Sequence, residues 1–258
     1  MSANAFVRVE NLTRRFGERT VLDALDLSIA PGEFVAMLGR SGSGKSTLLR
    51  ALAGIDHDAG PGERIVAPPR RAVLFQDARL LPWTRVIGNV LLGADSPKRA
   101  ERARGVLAEV GLAGREAEWP KNLSGGEQQR VALARSFVRE PELLLADEPF
   151  SALDALTKIQ MQELLATVCR NHAPSVLLVT HDVEEAIMLA DRVVLLDAGR
   201  IALDRRVTSP HPRHRGGPEF EDLRDELFAR LGVDFGRSQS YRPRREQEAA
   251  APVAELQP

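Results

Sequence analysis

The chain has 258 residues, with 35 Lys and Arg against 36 Asp and Glu and a formal net charge of −1. That balance supplies no basic field for nucleic acid. Hydrophobic residues at 43% and charged residues at 28% make an ordinary globular composition, long enough for a large core.

In chain order, residues 6–10 and 25–29 alternate apolar and polar side chains, as half-buried antiparallel strands do. Pro31 and Gly32 break the second run. Residues 34–38 form a short apolar run that stops at Gly39. A helix is expected over residues 45–53, with Leu48, Leu49 and Leu52 on one face and Gly54 as its stop signal. Apolar runs at 72–75, 143–146, 176–180 and 193–196 suit strands buried on both faces. Helical patterns separate several of them, which predicts βαβ crossovers and a mostly parallel sheet.

Residues 77–140 carry no strand pattern and read as an inserted helical subdomain. Within it, Ser96 and Pro97 start a helix whose apolar face is Ala100, Ala103, Leu107 and Val110, and Gly111 ends it. Both tryptophans lie in this insert. Trp119 reads as a packing residue, whereas Trp83, in a loop-like segment, suits packing and partner contact equally. Residues 211–217 read as a linker, the basic cluster 205–215 as solvated, 220–231 as an amphipathic helix, and 238–258 as a disordered polar tail. The lone Cys169 reads as a packing residue, and with no disulfide partner it fits a reducing compartment. No apolar run approaches the ~20 residues of a membrane span, and residues 1–12 lack the apolar core of a secretory signal. The expected location is the cytoplasm, unless a partner holds the chain at a membrane.

Three segments carry chemistry. Gly39, Arg40, Ser41, Gly42, Ser43, Gly44, Lys45, Ser46 and Thr47 follow the phosphate-loop pattern, placed between a buried strand and a helix. There, backbone N–H groups converge on phosphate oxygens, Lys45 brings a charge to the β/γ-phosphates, and the Ser46 hydroxyl can ligate Mg²⁺. Asp147 and Glu148 close a buried strand at the end where α/β sheets bind ligands. Asp147 would support Mg²⁺, and Glu148 would polarise an attacking water. Ser124, Gly125, Gly126 and Glu127 have capping-box spacing. A cap alone does not need two glycines, which are poor helix formers; they expose N–H groups at a helix start, a second anion site. One chain already has a phosphate loop, so the second site makes sense against a nucleotide held by another copy. His181 and Gln76 follow strands that end in the same crevice, His181 suited to the γ-phosphate and Gln76 to Mg²⁺ or water.

Together these residues resemble the ATP-binding-cassette (ABC) ATPases over residues 6–203, and the motif order is highly specific. The resemblance implies an α/β phosphate-loop NTPase fold: a mostly parallel sheet core, an antiparallel β subdomain and the helical insert, within an ATPase domain of residues 1–236. It implies ATP and Mg²⁺ as cofactors. Phe16 would stack on adenine, residues 123–128 would complete the partner's site, and Asp154, ending the segment 151–154, would act across the dimer. Glu148 would be the catalytic base and His181 the switch histidine.

Residues 75–83, 114–120 and 152–156 look like importer ATPases for aliphatic sulfonates, with taurine and nitrate importers as close relatives. That implies a homodimer at the cytoplasmic face of the membrane. Its partners would be two permease subunits, met partly through residues 76–83, and indirectly an external solute-binding protein, with no nucleic acid. A soluble cassette that switches on nucleotide without transport is the alternative of a different class, and an exporter ATPase shares every catalytic motif. Two departures stand out: the stretch between the first helix and Gln76 is short, where the family has a longer antiparallel excursion, and Ala146 replaces a larger aliphatic residue.

Overall fold

A computed structural model describes residues 6–56, 62–93, 97–211, 213 and 215–232. Strands β1 (Val7–Phe16) and β2 (Arg19–Ile29) form an antiparallel hairpin longer than the two alternating runs in the sequence. Register shifts between Val9 and Arg15 account for the difference: they break the two-residue alternation that marks a strand. Strand β3 (Phe34–Leu38) follows, then helix α1 (Lys45–Ala53), which Gly54 ends in the left-handed conformation at φ 70°. Among the described residues the shortened excursion carries one three-residue strand, β4 (Arg64–Val66), on the free edge of β1.

Strand β5 (Arg71–Leu74) leads into an insert, without strands among its described residues, that contains α2 (Val86–Leu91), α3 (Pro97–Glu109) and α4 (Gly125–Phe137). The chain then alternates β6 (Leu143–Asp147), α5 (Ala155–His172), β7 (Ser175–Val179), α6 (Val183–Leu189) and β8 (Arg192–Asp197). An antiparallel edge strand, β9 (Arg200–Arg206), and α7 (Pro218–Arg230) close it. The large sheet runs β5-β6-β7-β3-β8-β9, parallel through β8.

Alternation within β3 explains why its sequence is apolar throughout. Phe34, Ala36 and Leu38 pack on the face covered by α4, α6 and α7. Val35 and Met37 pack on the opposite face, against α1 and the β1–β2 hairpin. Both faces are covered, so neither position tolerates a polar side chain. Ala146 is fully buried between Leu74 and Leu178 in the ladders, so the smaller side chain is accommodated. Cys169 is buried, as expected of a packing residue.

Short α2 and charged β9 escaped the pattern reading. β9 buries no residue fully and carries four charged side chains, so it lacks a core strand's composition. One reading of the linker is corrected: Arg213, within the stretch taken as solvated, is 7% exposed and bonded to backbone carbonyls. Ser96 and the polar tail lie outside the described residues.

Candidate functional site

The parallel order places the C-terminal ends of β3, β5, β6 and β7 along one edge, where α/β sheets bind ligands. The loop after β3 is shaped by its neighbours. A Cβ on Gly39 would lie 2.5 Å from the Leu196 carbonyl oxygen. One on Gly44, at φ 108°, would lie 2.6 Å from Leu22 Cδ2. Strand β8 and the hairpin therefore press on a loop that only glycine can make. The first-turn N–H groups of α1, from Lys45, Ser46 and Thr47, open toward this loop without intrahelical partners.

Lys45 Nζ donates to the Gly39 and Arg40 carbonyls at 2.8 and 3.0 Å, which holds the ammonium within the loop. Burial draws its pKa down, against the attraction of Glu148 and Asp147. Ser43 Oγ is buried and has no hydrogen-bond partner among the described residues, an orphaned hydroxyl within the loop. A phosphate oxygen is the group this cradle lacks, so the loop fits a nucleotide phosphate. Ser41 and Gly42 are exposed at the loop's tip. The Arg40 guanidinium turns away and donates to the Leu231 carbonyl after α7 at 2.7 and 3.0 Å, leaving its backbone to the loop.

Ser46 Oγ donates to Asp147 Oδ1 at 3.0 Å. A hydroxyl and a carboxylate side by side are a donor set for a hard cation such as Mg²⁺. Burial pushes the Asp147 carboxyl up from its ordinary value, against the Ser46 hydrogen bond. The next residue, Glu148, turns out of the strand at φ 46°, unusual for a side-chain-bearing residue. Its N–H donates to the Val179 carbonyl at 2.9 Å, and its carboxylate meets His181 Nδ1 at 2.9 Å. The pairing of Asp147 with Val179 brings these two chain segments together.

Gln76 is exposed just beyond β5, and Phe16 is 59% exposed at the end of β1. Asp154 caps α5, accepting from Thr157 N at 3.1 Å; that hydrogen bonding holds its carboxyl below the usual range. Ser124 caps α4 in a full capping box, with Ser124 N donating to Glu127 Oε2 at 2.8 Å and Glu127 N to Ser124 Oγ at 3.3 Å. The two glycines differ. A Cβ on Gly126 would meet Thr157 Cγ2 at 2.6 Å, so packing against α5 requires it. A Cβ on Gly125 would meet nothing within 4 Å. The chain's own packing therefore gives no reason for glycine at 125.

Sequence reasoning missed several supporting side chains. Gln129, 3% exposed, donates to the Phe75 carbonyl at 2.8 Å and the Pro149 carbonyl at 3.1 Å. It ties α4 to the segments before Gln76 and after Glu148. Its signal was present: it stands three, four, seven and eight residues before the buried Ala132, Leu133, Ser136 and Phe137, on the same helical stripe. Arg135 donates to the Ala78 and Arg79 carbonyls, pinning the same segment. Lys158 joins α5 to the start of α6 through Asp182 at 2.7 Å and Glu185 at 3.1 Å.

The family described as ABC transporter matches residues 22–151. The aliphatic sulfonates import ATP-binding protein SsuB 2 of Nocardia farcinica is 64% identical over 230 residues, covering 89% of this chain and 95% of that protein. Its namesake in Mesorhizobium japonicum is 61% identical over 228 residues, covering 88% and 92%. Among solved structures, a dimeric ATP-binding cassette in a post-hydrolysis state, bound to ADP and Pi, aligns at TM-score 0.67 and 31% identity over 79% of this chain and all of that one. The Clostridium perfringens protein cbiO1, part of an ABC transporter complex, aligns at TM-score 0.73 and 24% identity over 90% and 96%, a likeness of fold.

Proposed function

We propose that this chain, which belongs to the ABC transporter ATPases, is the ATP-hydrolysing subunit that drives an importer for aliphatic sulfonates. The observation that carries the chemistry is the contact between Glu148 and His181 beside the Lys45, Ser46 and Asp147 cluster. The solute class rests on relatives that match the chain nearly end to end and carry that name.

Backbone donors of residues 39–47 bind the β- and γ-phosphates, and Lys45 exchanges its two carbonyl partners for phosphate oxygens. Phe16, exposed at the hairpin's end, stacks on the adenine. Ser46 and Asp147 would hold Mg²⁺, with Gln76 at the same sheet edge, and the ion would neutralise phosphate charge there. Glu148 accepts a proton from the water that attacks the γ-phosphorus. His181 keeps that carboxylate oriented and contacts the γ-phosphate.

The open surface at Gly125 suits close approach by a second copy. Ser124, Gly125, Gly126 and Glu127 then cover the γ-phosphate held by the partner, and Asp154 lies at the same seam. Each closure places two nucleotides between two chains. Among the described residues no helix is long and apolar enough to cross a membrane. In this reading, which the import ATP-binding relatives support, two permease subunits hold the chain at the cytoplasmic face, and an external binding protein delivers the solute to them. Trp83, 73% exposed in the insert, supplies an anchor for that contact.

Affinity isolation from detergent-solubilised membranes of the source organism tests the coupling role. Recovery of integral membrane proteins with the wild-type chain, reduced by Trp83→Glu, is the expected result. Recovery of soluble partners alone supports a nucleotide switch without transport.

A further inference from the structure

Arg213 lies between β9 and α7 and is 7% exposed. Its Nε donates to the Ser209 carbonyl at 2.9 Å, and its Nη1 to the Ile187 and Ala190 carbonyls at 2.9 and 2.6 Å and more distantly to Met188. These carbonyls close the end of α6, a favourable place for a cation. Yet Arg213 makes no ion pair among the described residues, and burial lowers its pKa with only Asp191 opposing. With Asp191 as its one nearby counter-charge and no ion pair made among the described residues, the buried guanidinium leaves the location short of an anion.

Beside it opens a cavity of about 680 Å³, within the range of small-molecule sites. One wall is a stripe of α5 on which Ile159, Ala166 and Arg170 recur at helical spacing. Met188 and Leu189, at the end of α6, form the wall opposite. Arg170 is exposed and also lacks an ion pair among the described residues; its Nη2 donates to Thr167 Oγ1 at 3.0 Å. The rim adds Arg215, paired with Glu184 at 3.1 Å, and His211, while Glu163 is the lining's carboxylate. The cavity thus carries apolar Ile159, Ala166, Met188 and Leu189 along its helices, interleaved with Gln162 and Thr167, and is cationic at one end.

We propose that this cavity binds an amphiphilic organic anion, an alkyl chain bearing one sulfonate or carboxylate headgroup. The chain lies between α5 and α6, and the headgroup meets Arg170 and Arg213. A bare inorganic anion leaves the apolar walls uncovered, and an uncharged chain leaves the two cations unpaired. The site is separate from the nucleotide edge, although α5 begins at Asp154 and α6 just after His181. It stands whether or not the transported solute is a sulfonate.

Calorimetric titration of the full-length, nucleotide-free chain with hexanesulfonate, hexanoate, hexanol and inorganic sulfate tests it. One equivalent of hexanesulfonate or hexanoate should bind about tenfold or more tightly than hexanol or sulfate. Arg170→Glu and the cavity-filling Ala166→Trp should each weaken that binding about tenfold or more, with ATP affinity unchanged as the control for folding. Preference for hexanesulfonate, or for hexanoate, supports the site and identifies which headgroup it serves. The proposal is overturned if neither amphiphile saturates, if hexanol or sulfate binds as well, or if Arg170→Glu binds like the wild type. Importer function is read by growth and uptake, so either idea can fail alone.

Discussion

Asp147 and Glu148 are adjacent carboxylates in opposed settings. Asp147 is drawn into the sheet edge, where burial raises its pKa and Ser46 bonds it. Its folded pKa lies above its unfolded one, so the stability linked to it is complete below the unfolded value and is lost as pH rises through the folded value. Ionisation of this carboxyl therefore opposes folding. Asp147→Asn should raise the melting temperature of the nucleotide-free chain near pH 7 while abolishing ATP turnover; a lower melting temperature contradicts this balance. Glu148 instead turns its carboxylate out of the strand to meet His181 Nδ1 at 2.9 Å. Glu148→Gln should retain ATP binding and lower turnover by about 10²-fold or more, the range for removing a general base. Turnover within about threefold of wild type, measured by phosphate release, removes Glu148 from that role. Cys169 belongs to the same scale: burial pushes its thiol up to about 12, so it should resist alkylation at pH 8 in the folded chain and react after denaturation.

At the scale of elements, the start of α4 separates what capping explains from what it does not. The capping box stabilises the helix, so Ser124→Ala should cost about 1 kcal/mol in chemical denaturation. Gly126 is fixed by Thr157, but Gly125 is free of intrachain constraint. Gly125→Arg should leave folding and ATP binding by the monomer intact and block hydrolysis; normal turnover contradicts a signature that acts on another copy. Elements with a strong period were legible in sequence: α1 has the bounds its leucines and Gly54 imply, and β3, β6, β7 and β8 lie under the apolar runs. Elements shaped by tertiary contact were not. The β1–β2 hairpin outruns its alternation because bulges shift the register, and β9 survives as an edge strand by pairing with β8. Gln129 was hidden for a related reason: its value lies in two carbonyls, 54 and 20 residues away in sequence, that only the fold brings near.

Across the whole molecule, the sheet order converts motifs scattered over more than half of the sequence into one edge. Gly39, Asp147 and His181 converge because β3, β7 and β6 are neighbours in the parallel sheet. Ordered motifs made that edge legible before the fold was known. Within the basic stretch 205–215, Arg205, Arg206 and Arg215 are exposed as its composition suggests, but Arg213 was not legible, because only the fold draws it under α6. The central claim joins this edge to the import of aliphatic sulfonates. It is tested most directly by growth of a strain of the source organism lacking this gene and any redundant importer, on alkanesulfonate, taurine or sulfate as sole sulfur source. Growth should fail on alkanesulfonate alone and return with the wild-type chain but not with Glu148→Gln. Undiminished growth on alkanesulfonate, or rescue by Glu148→Gln, would contradict the account.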